Sequence, residues 1–274
     1  SDQVGEVWYA NPQQIEQAVE IVRLGFENWN AMGVDERGSV IDDFADLLEA
    51  NTAELIVMMM REAGKVLQDC IDEIREAVDF CRYYALQAAQ LLKPKNLTGY
   101  TGEENTLSMQ GRGVILCISP WNFPIAIFVG QMVAALSVGN TVVAKPAEQT
   151  SLCAAKVVEL FYHAGLPEDA LQLVPGKGDD AGSQLVAHPD IAGVMFTGST
   201  QTAKLIQRQL VDKDGPIVPL IAETGGMNAM IADSSALIEQ LVKDVVHSAF
   251  GSAGQRCSAL RVLFVQDDIA EKVI

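Results

Sequence analysis

From Gly113 onward the sequence alternates short, unbroken apolar runs with amphipathic stretches, and this alternation limits the fold more than any other feature. The runs are VILCI (114–118), TVVAK (141–145), LQLV (171–174), AGVMF (192–196), IVPLIA (217–222) and NAMIA (228–232). Helical patterns lie between them near 125–137, 150–164, 179–187 and 199–211. A strand that is apolar on both faces is buried on both faces, and strands alternating with helices form a parallel sheet covered on two sides. The expected class is therefore α/β, a Rossmann-like parallel sheet with helices on both faces. Ligands of such sheets bind beyond the carboxyl ends of the strands. Chemistry is expected just after Ile118, Lys145, Phe196 and Ala222.

The first ninety residues have a different texture. Ile15, Ala18, Val19, Val22 and Phe26 recur at helical spacing, and Asp35–Leu48 repeats the pattern. Asn51 is expected to cap a third helix that Gly64 ends. A fourth runs from Asp69 to Leu92, and Lys93-Pro94 stops it. Its carboxylates Asp69, Asp72, Glu73, Glu76 and Asp79 read as a solvated face rather than a metal patch. The polar, Gly-broken segment 95–112 reads as a hairpin or edge segment. The expected organisation is a unit over 1–223, with helices in 1–92, the edge segment in 93–112 and the Rossmann-like part in 113–223. Residues 224–274 then begin a second α/β unit.

Charge and cysteine usage narrow the function classes. With 19 basic and 36 acidic residues the formal charge is −17, which repels phosphate backbones and anionic lipid. No nucleic-acid partner is expected through this segment. No apolar run reaches the ~18 residues a membrane span needs, and SDQVGEVWYANPQQ lacks the marks of a secretion signal. Five cysteines, widely spaced and without a CxxC pair, fit neither a disulfide framework nor a zinc site; no metal is expected, and a cytoplasmic location is.

All four anticipated strand ends carry polar, glycine- or proline-punctuated turns: SPWNFP (119–124), PAEQT (146–150), TGST (197–200) and ETGG (223–226). Cys257 lies in a fifth, AFGSAGQRCSALR (249–261), among small residues that let backbone and substrate approach a side chain. On local sequence alone Cys257 could equally be an ordinary buried thiol. No GxGxxG motif opens the first unit, and GKGDDAG (176–182) has its glycines at other spacings.

Taken in order and spacing, SPWNFP, KPAEQT, FTGST, ETGG and FGSAGQRC resemble the aldehyde dehydrogenase superfamily over nearly the whole chain. The wording around ETGGMNAMIAD and GQRCSALRVLFVQ is most similar to its glutamate-semialdehyde (pyrroline-5-carboxylate) dehydrogenase branch. In bacteria that branch also occurs as one domain of a bifunctional proline-catabolic enzyme. The resemblance implies oxidation of an aldehyde by NAD through a cysteine thioester. Cys257 matches the nucleophile and Glu223 the base that deprotonates the thiol and later the hydrolytic water. Asn122 matches the amide that stabilises the oxyanion. A structural cap for Glu223 and a turn residue for Asn122 are the plain alternatives.

For the cofactor, Lys145 and Glu148 match the adenosine ribose contacts, and a carboxylate at 148 favours NAD over NADP. Gly198 and Ser199 open a helix toward the pyrophosphate. Gly182 matches a close-approach position, and Ile118, Ser119, Pro120 and Trp121 match the dinucleotide channel. Phe123 and Ser258 match substrate contacts. The resemblance also implies that family members continue well past Ile274. The chain is therefore expected to be a truncated piece, weak or inactive alone, of a homo-oligomeric parent. FAD would belong only to a separate proline dehydrogenase domain fused in that parent. Three alternatives stay open: a nucleotide-binding module without turnover, a dehydrogenase for another semialdehyde, and a cysteine hydrolase pairing Cys257 with His247.

Overall fold

The computed structural model describes residues 3–274. Four helices open the chain: α1 (Pro12–Ala31), α2 (Val34–Ala50), α3 (Thr52–Glu62) and α4 (Leu67–Leu91). Asn11 starts α1 with a reciprocal cap: its Oδ1 accepts from the Gln14 N–H at 3.0 Å, and the Gln14 side chain accepts from the Asn11 N–H at 3.0 Å. The anticipated capping by Asn51 differs in sense. Its Nδ2 donates to the Leu47 carbonyl at 2.7 Å, so its side chain closes the end of α2 and accepts nothing from α3. The segment after α4 is a small antiparallel pair, β1 (Lys95–Leu97) with β2 (Asn105–Leu107).

The sheet follows as β3 (Val114–Ile118), α5 (Ala126–Ser137), β4 (Thr141–Lys145), α6 (Ser151–His163) and β5 (Leu171–Leu173). Then come α7 (Ser183–Ala187), β6 (Ile191–Gly198), α8 (Thr200–Val211) and β7 (Leu220–Thr224). The strands pair in parallel in the order β5-β4-β3-β6-β7. The last strand starts later than its apolar run suggests, because Ile217–Pro219 lead into the sheet without pairing as strand. Beyond it, β8 (Asn228–Ala232) and β9 (Leu260–Val265) form a separate parallel pair, with α9 (Ile238–Phe250) between them and α10 (Asp267–Val273) after them.

Strand alternation explains the two layers. Ile115, Cys117, Val142 and Ala144 face one side, where they pack with α5, α6 and the helices α2–α4. Val114, Leu116 and Val143 face the other, against Ile15, Val19 and Val22 of α1 and Ala203 and Ile206 of α8. On the first side Phe44 and Phe161 stack with ring centroids 4.0 Å apart, and the Trp29 indole donates to the Leu136 carbonyl at 3.0 Å. Gly25 lets α1 sit close: a Cβ there would lie 2.2 Å from the Asp169 carbonyl oxygen.

The carboxylate face of α4 is only partly solvated, which corrects the reading of that helix. Glu73 is 1% exposed. It pairs with Lys65 at 2.6 Å and accepts the N–H groups of Ile125 and Ala126 at 2.7 and 3.1 Å. Sequence periodicity places Glu73 among its acidic neighbours; only the docking of α5 against α4 buries it. Among the described residues no three metal-ligating groups cluster. Within the same residues no helix is long and apolar enough to cross a membrane.

Candidate active site

The chain builds outward from β3 to β4 and β5, then returns to add β6 on the other side of β3. The crevice between the carboxyl ends of β3 and β6 is thus the topological switch point of the sheet. Gln131, on α5, spans it: its Nε2 donates to the Ile118 carbonyl at 3.2 Å and to Thr197 Oγ1 at 3.0 Å. Two cavities open here and share Thr202 of α8.

The first cavity, 680 Å³, brings together Asn122 from the turn after β3, Glu223 from β7 and Cys257 from the turn before β9. Pro120, Trp121, Gly198 and Ser199 also line it. The second, 490 Å³, is lined by Ile118, Lys145 and Gly182. A Cβ on Gly182 would sit 3.4 Å from Lys145 Cε, so glycine keeps this wall low. Ser199 caps the twelve-residue α8, with its Oγ accepting from the Thr202 N–H at 3.1 Å. Ser199, Thr200 and Thr202 of that helix start line the first cavity, and Thr202 also lines the second.

Four residues singled out by sequence stand outside both cavities. Ser119 is buried, its N–H donating to the Lys145 carbonyl at 3.2 Å. Phe123 is half-buried against the core, with Lys65 Nζ 4.5 Å from its ring centroid. Glu148 is half-buried and opens a single 3₁₀ turn. Ser258 is exposed. His247 also lies outside the cavity that holds Cys257; its carbonyl accepts from Arg256 Nη2 at 3.0 Å.

The cysteines separate by environment. Cys257 is exposed, whereas Cys70, Cys81, Cys117 and Cys153 are buried. Burial pushes the Cys70 thiol up to about 11 and the other three buried thiols higher still. Lys145 is 2% exposed, its Nζ donating to the Pro146 carbonyl at 2.9 Å. Burial lowers its pKa below the ordinary lysine range, and the Glu148 carboxylate opposes that shift.

The turn that carries Cys257 has unusual backbone geometry. Ser252 and Ala253 both have φ 54°, a left-handed conformation that side chains disfavour. Contacts on each side hold it. The Gln255 N–H donates to the Ser252 carbonyl at 2.9 Å, and Arg261 Nη2 to the Gly254 carbonyl at 2.8 Å. Asn122 Nδ2 donates to the Gln255 carbonyl at 2.7 Å. Sequence reading missed Arg261, Gln255, Gln131, Lys65 and Glu73. The local signals were a lone polar residue, Gln131, on an apolar helix and an arginine, Arg261, seven residues from the Gly254 carbonyl it binds; Gln255, Lys65 and Glu73 depend on contacts distant in sequence.

Comparison with known proteins agrees with this geometry. The model of the aldehyde dehydrogenase family matches residues 1–274. The bifunctional protein PutA of Escherichia coli is 49% identical over 276 residues, covering 100% of this chain and 20% of that protein. The 1-pyrroline-5-carboxylate dehydrogenase 2 of Bacillus subtilis is 36% identical over 274 residues, covering 99% of this chain and 53% of that one. The chain thus spans a fifth to about half the length of these relatives. A proline utilization A structure with proline bound in remote sites superposes with a TM-score of 0.95 at 55% identity, covering 97% of this chain and 27% of the other. A 1-pyrroline-5-carboxylate dehydrogenase from Thermus with bound NAD gives 0.94 at 34% identity, covering 97% and 52%. A family match over residues 1–274, and four strand-end turns that meet the Cys257 turn at one sheet edge, lead to the same statement: the chain belongs to the aldehyde dehydrogenase family.

Proposed function

We propose that the protein carrying this chain oxidises L-glutamate 5-semialdehyde, the open form of pyrroline-5-carboxylate, to L-glutamate with NAD. The observation that carries this reading is the single cavity lined by Cys257, Glu223 and Asn122, beside a second cavity that fits a dinucleotide. The similarity to PutA and 1-pyrroline-5-carboxylate dehydrogenases supports the substrate class. The bifunctional relatives support fusion to a proline dehydrogenase in the same protein; FAD would belong to that part alone.

In this reading residues 1–223 hold the cofactor and residues 224–274 begin the catalytic unit. The groove fits NAD on two counts: the low Gly182 wall beside Lys145, and the start of α8 at the rim shared by both cavities. Lys145 and Glu148 would hold the adenosine ribose, and Gly198 and Ser199 the pyrophosphate. Ile118, Ser119, Pro120 and Trp121 would form the channel. NAD⁺, when bound, supplies a hydride acceptor.

Glu223 takes the Cys257 thiol proton, and the thiolate sulfur forms a bond to the aldehyde carbon. The carbonyl π pair moves onto oxygen, where the Asn122 amide and the Cys257 N–H stabilise it. Departure of hydride from that carbon to a bound NAD⁺ would leave a thioester on Cys257. Glu223 first releases the thiol proton to solvent and, as a carboxylate again, deprotonates water for attack on the thioester; the sulfur leaves with its electron pair as the acid departs. Phe123 and Ser258 would guide the substrate chain. Asn122 Nδ2 donates one N–H to the Gln255 carbonyl in this structure, and its second N–H is the donor left for the oxyanion.

The test is NADH formation from glutamate semialdehyde, with Cys257→Ser as the control. Semialdehyde-dependent NADH that vanishes in Cys257→Ser supports the reading. NAD binding without NADH would instead assign a nucleotide-binding module, and preference for a different semialdehyde would reassign the substrate.

A further inference from the structure

We infer that the buried Lys65–Glu73 ion pair positions Asn122, holding the amide at the mouth of the cavity from the corner between α3 and α4. This inference rests on the role proposed above for Asn122. The segment between β3 and α5 is a turn with no regular structure of its own, yet it must place one amide accurately. Its polar groups are tied at both ends. Lys65 Nζ donates to the Asn122 carbonyl at 2.9 Å and lies 4.5 Å from the Phe123 ring centroid. Glu73 Oε1 accepts the Ile125 and Ala126 N–H groups, and its Oε2 pairs with Lys65 at 2.6 Å. α5 has no side-chain cap from its own N-cap residue, so a carboxylate from α4 fixes its first turn.

The pair is costly to bury. The side chains of Lys65 and Glu73 are 5% and 0% exposed. An apolar pair of similar volume often stabilises a fold as well as a buried ion pair does, or better. Stability alone therefore does not account for charge at this position. Direction does: an ammonium and a carboxylate need partners along fixed lines. Here those lines end on residues 122, 125 and 126. A sub-ångström shift of an amide at a reacting centre is enough to cost large factors in rate.

The experiment is a double-mutant cycle in the whole protein that carries this chain. Lys65→Met with Glu73→Gln removes both charges together and leaves no lone buried ion. It is combined with native Asn122 and with Asn122→Ala. The expected result is a loss of kcat of roughly 10²-fold beside native Asn122, with KM little changed, and almost no further loss beside Asn122→Ala. Equal losses in both backgrounds would overturn the inference, since a purely structural pair acts on either alike. Thermal melting checks that the variants fold; Glu73→Gln alone goes through the same cycle if the double variant does not. If Asn122→Ala leaves turnover unchanged, the role given to Asn122 fails. Positioning is then read from the Asn122 side-chain amide resonance: a shift in the variant supports it and an unchanged resonance overturns it.

Discussion

Asn122 and Gln255, far apart in sequence, meet side chain to backbone at 2.7 Å, and through this bond the turn after β3 is joined to the turn before β9. The bond couples the amide donor to the segment that carries Cys257 two residues later. It also orients the amide while leaving its second N–H for an oxyanion that exists only in the transition state, so removing the amide should weaken transition-state binding more than substrate binding. Asn122→Ala is expected to lower kcat by about 10²–10³-fold, the loss typical of one oxyanion donor. NAD affinity measured by calorimetry should stay unchanged.

Thiol environment gives a second expectation. Cys257 is exposed, and burial raises the other four thiols. Limited iodoacetamide treatment of the native protein should therefore modify Cys257 first, because the thiolate is the reactive species. Peptide mass analysis reads the order. Labelling of Cys117 or Cys153 at the rate of Cys257 would contradict the burial described here; after unfolding, all five should react.

Lys145 should trade stability against cofactor binding. Its folded-state pKa is lowered by burial, so the unfolded chain holds the proton to higher pH than the folded one. Native stability therefore rises as pH climbs from the lowered value toward the ordinary lysine value. Lys145→Met removes the penalty and should raise Tm by a few degrees at neutral pH. The gain should shrink as pH approaches about 10. The same variant should bind NAD roughly tenfold or more weakly, since a charge-assisted hydrogen bond is lost. A lower Tm would refute the first expectation and unchanged affinity the second.

Gly25 offers a test of packing away from the cavity. A methyl group there meets the Asp169 backbone at 2.2 Å, and a carbonyl yields less easily than a side chain. Gly25→Ala should destabilise by about 1–3 kcal/mol, seen in denaturant melts, with Cys257 alkylation unaffected. A neutral melt would show that α1 can move off the sheet freely.

Local pattern in the sequence was enough to determine the parallel sheet and the helices between its strands. Buried strands need continuous apolar runs, and helices need apolar residues every three or four positions; both rules act between near neighbours. The same runs located Asn122, Lys145, Gly198 and Glu223 at strand ends, and family resemblance added Cys257. Tertiary structure alone decided the rest. The burial of Glu73 under α5, the bond from Lys65 to the Asn122 carbonyl and the bond from Asn122 to Gln255 join segments distant in the chain. Whether a carboxylate on a polar helix face meets water or an ammonium depends on which other helix covers it. That is set by packing across the whole domain, and local periodicity carries no record of it.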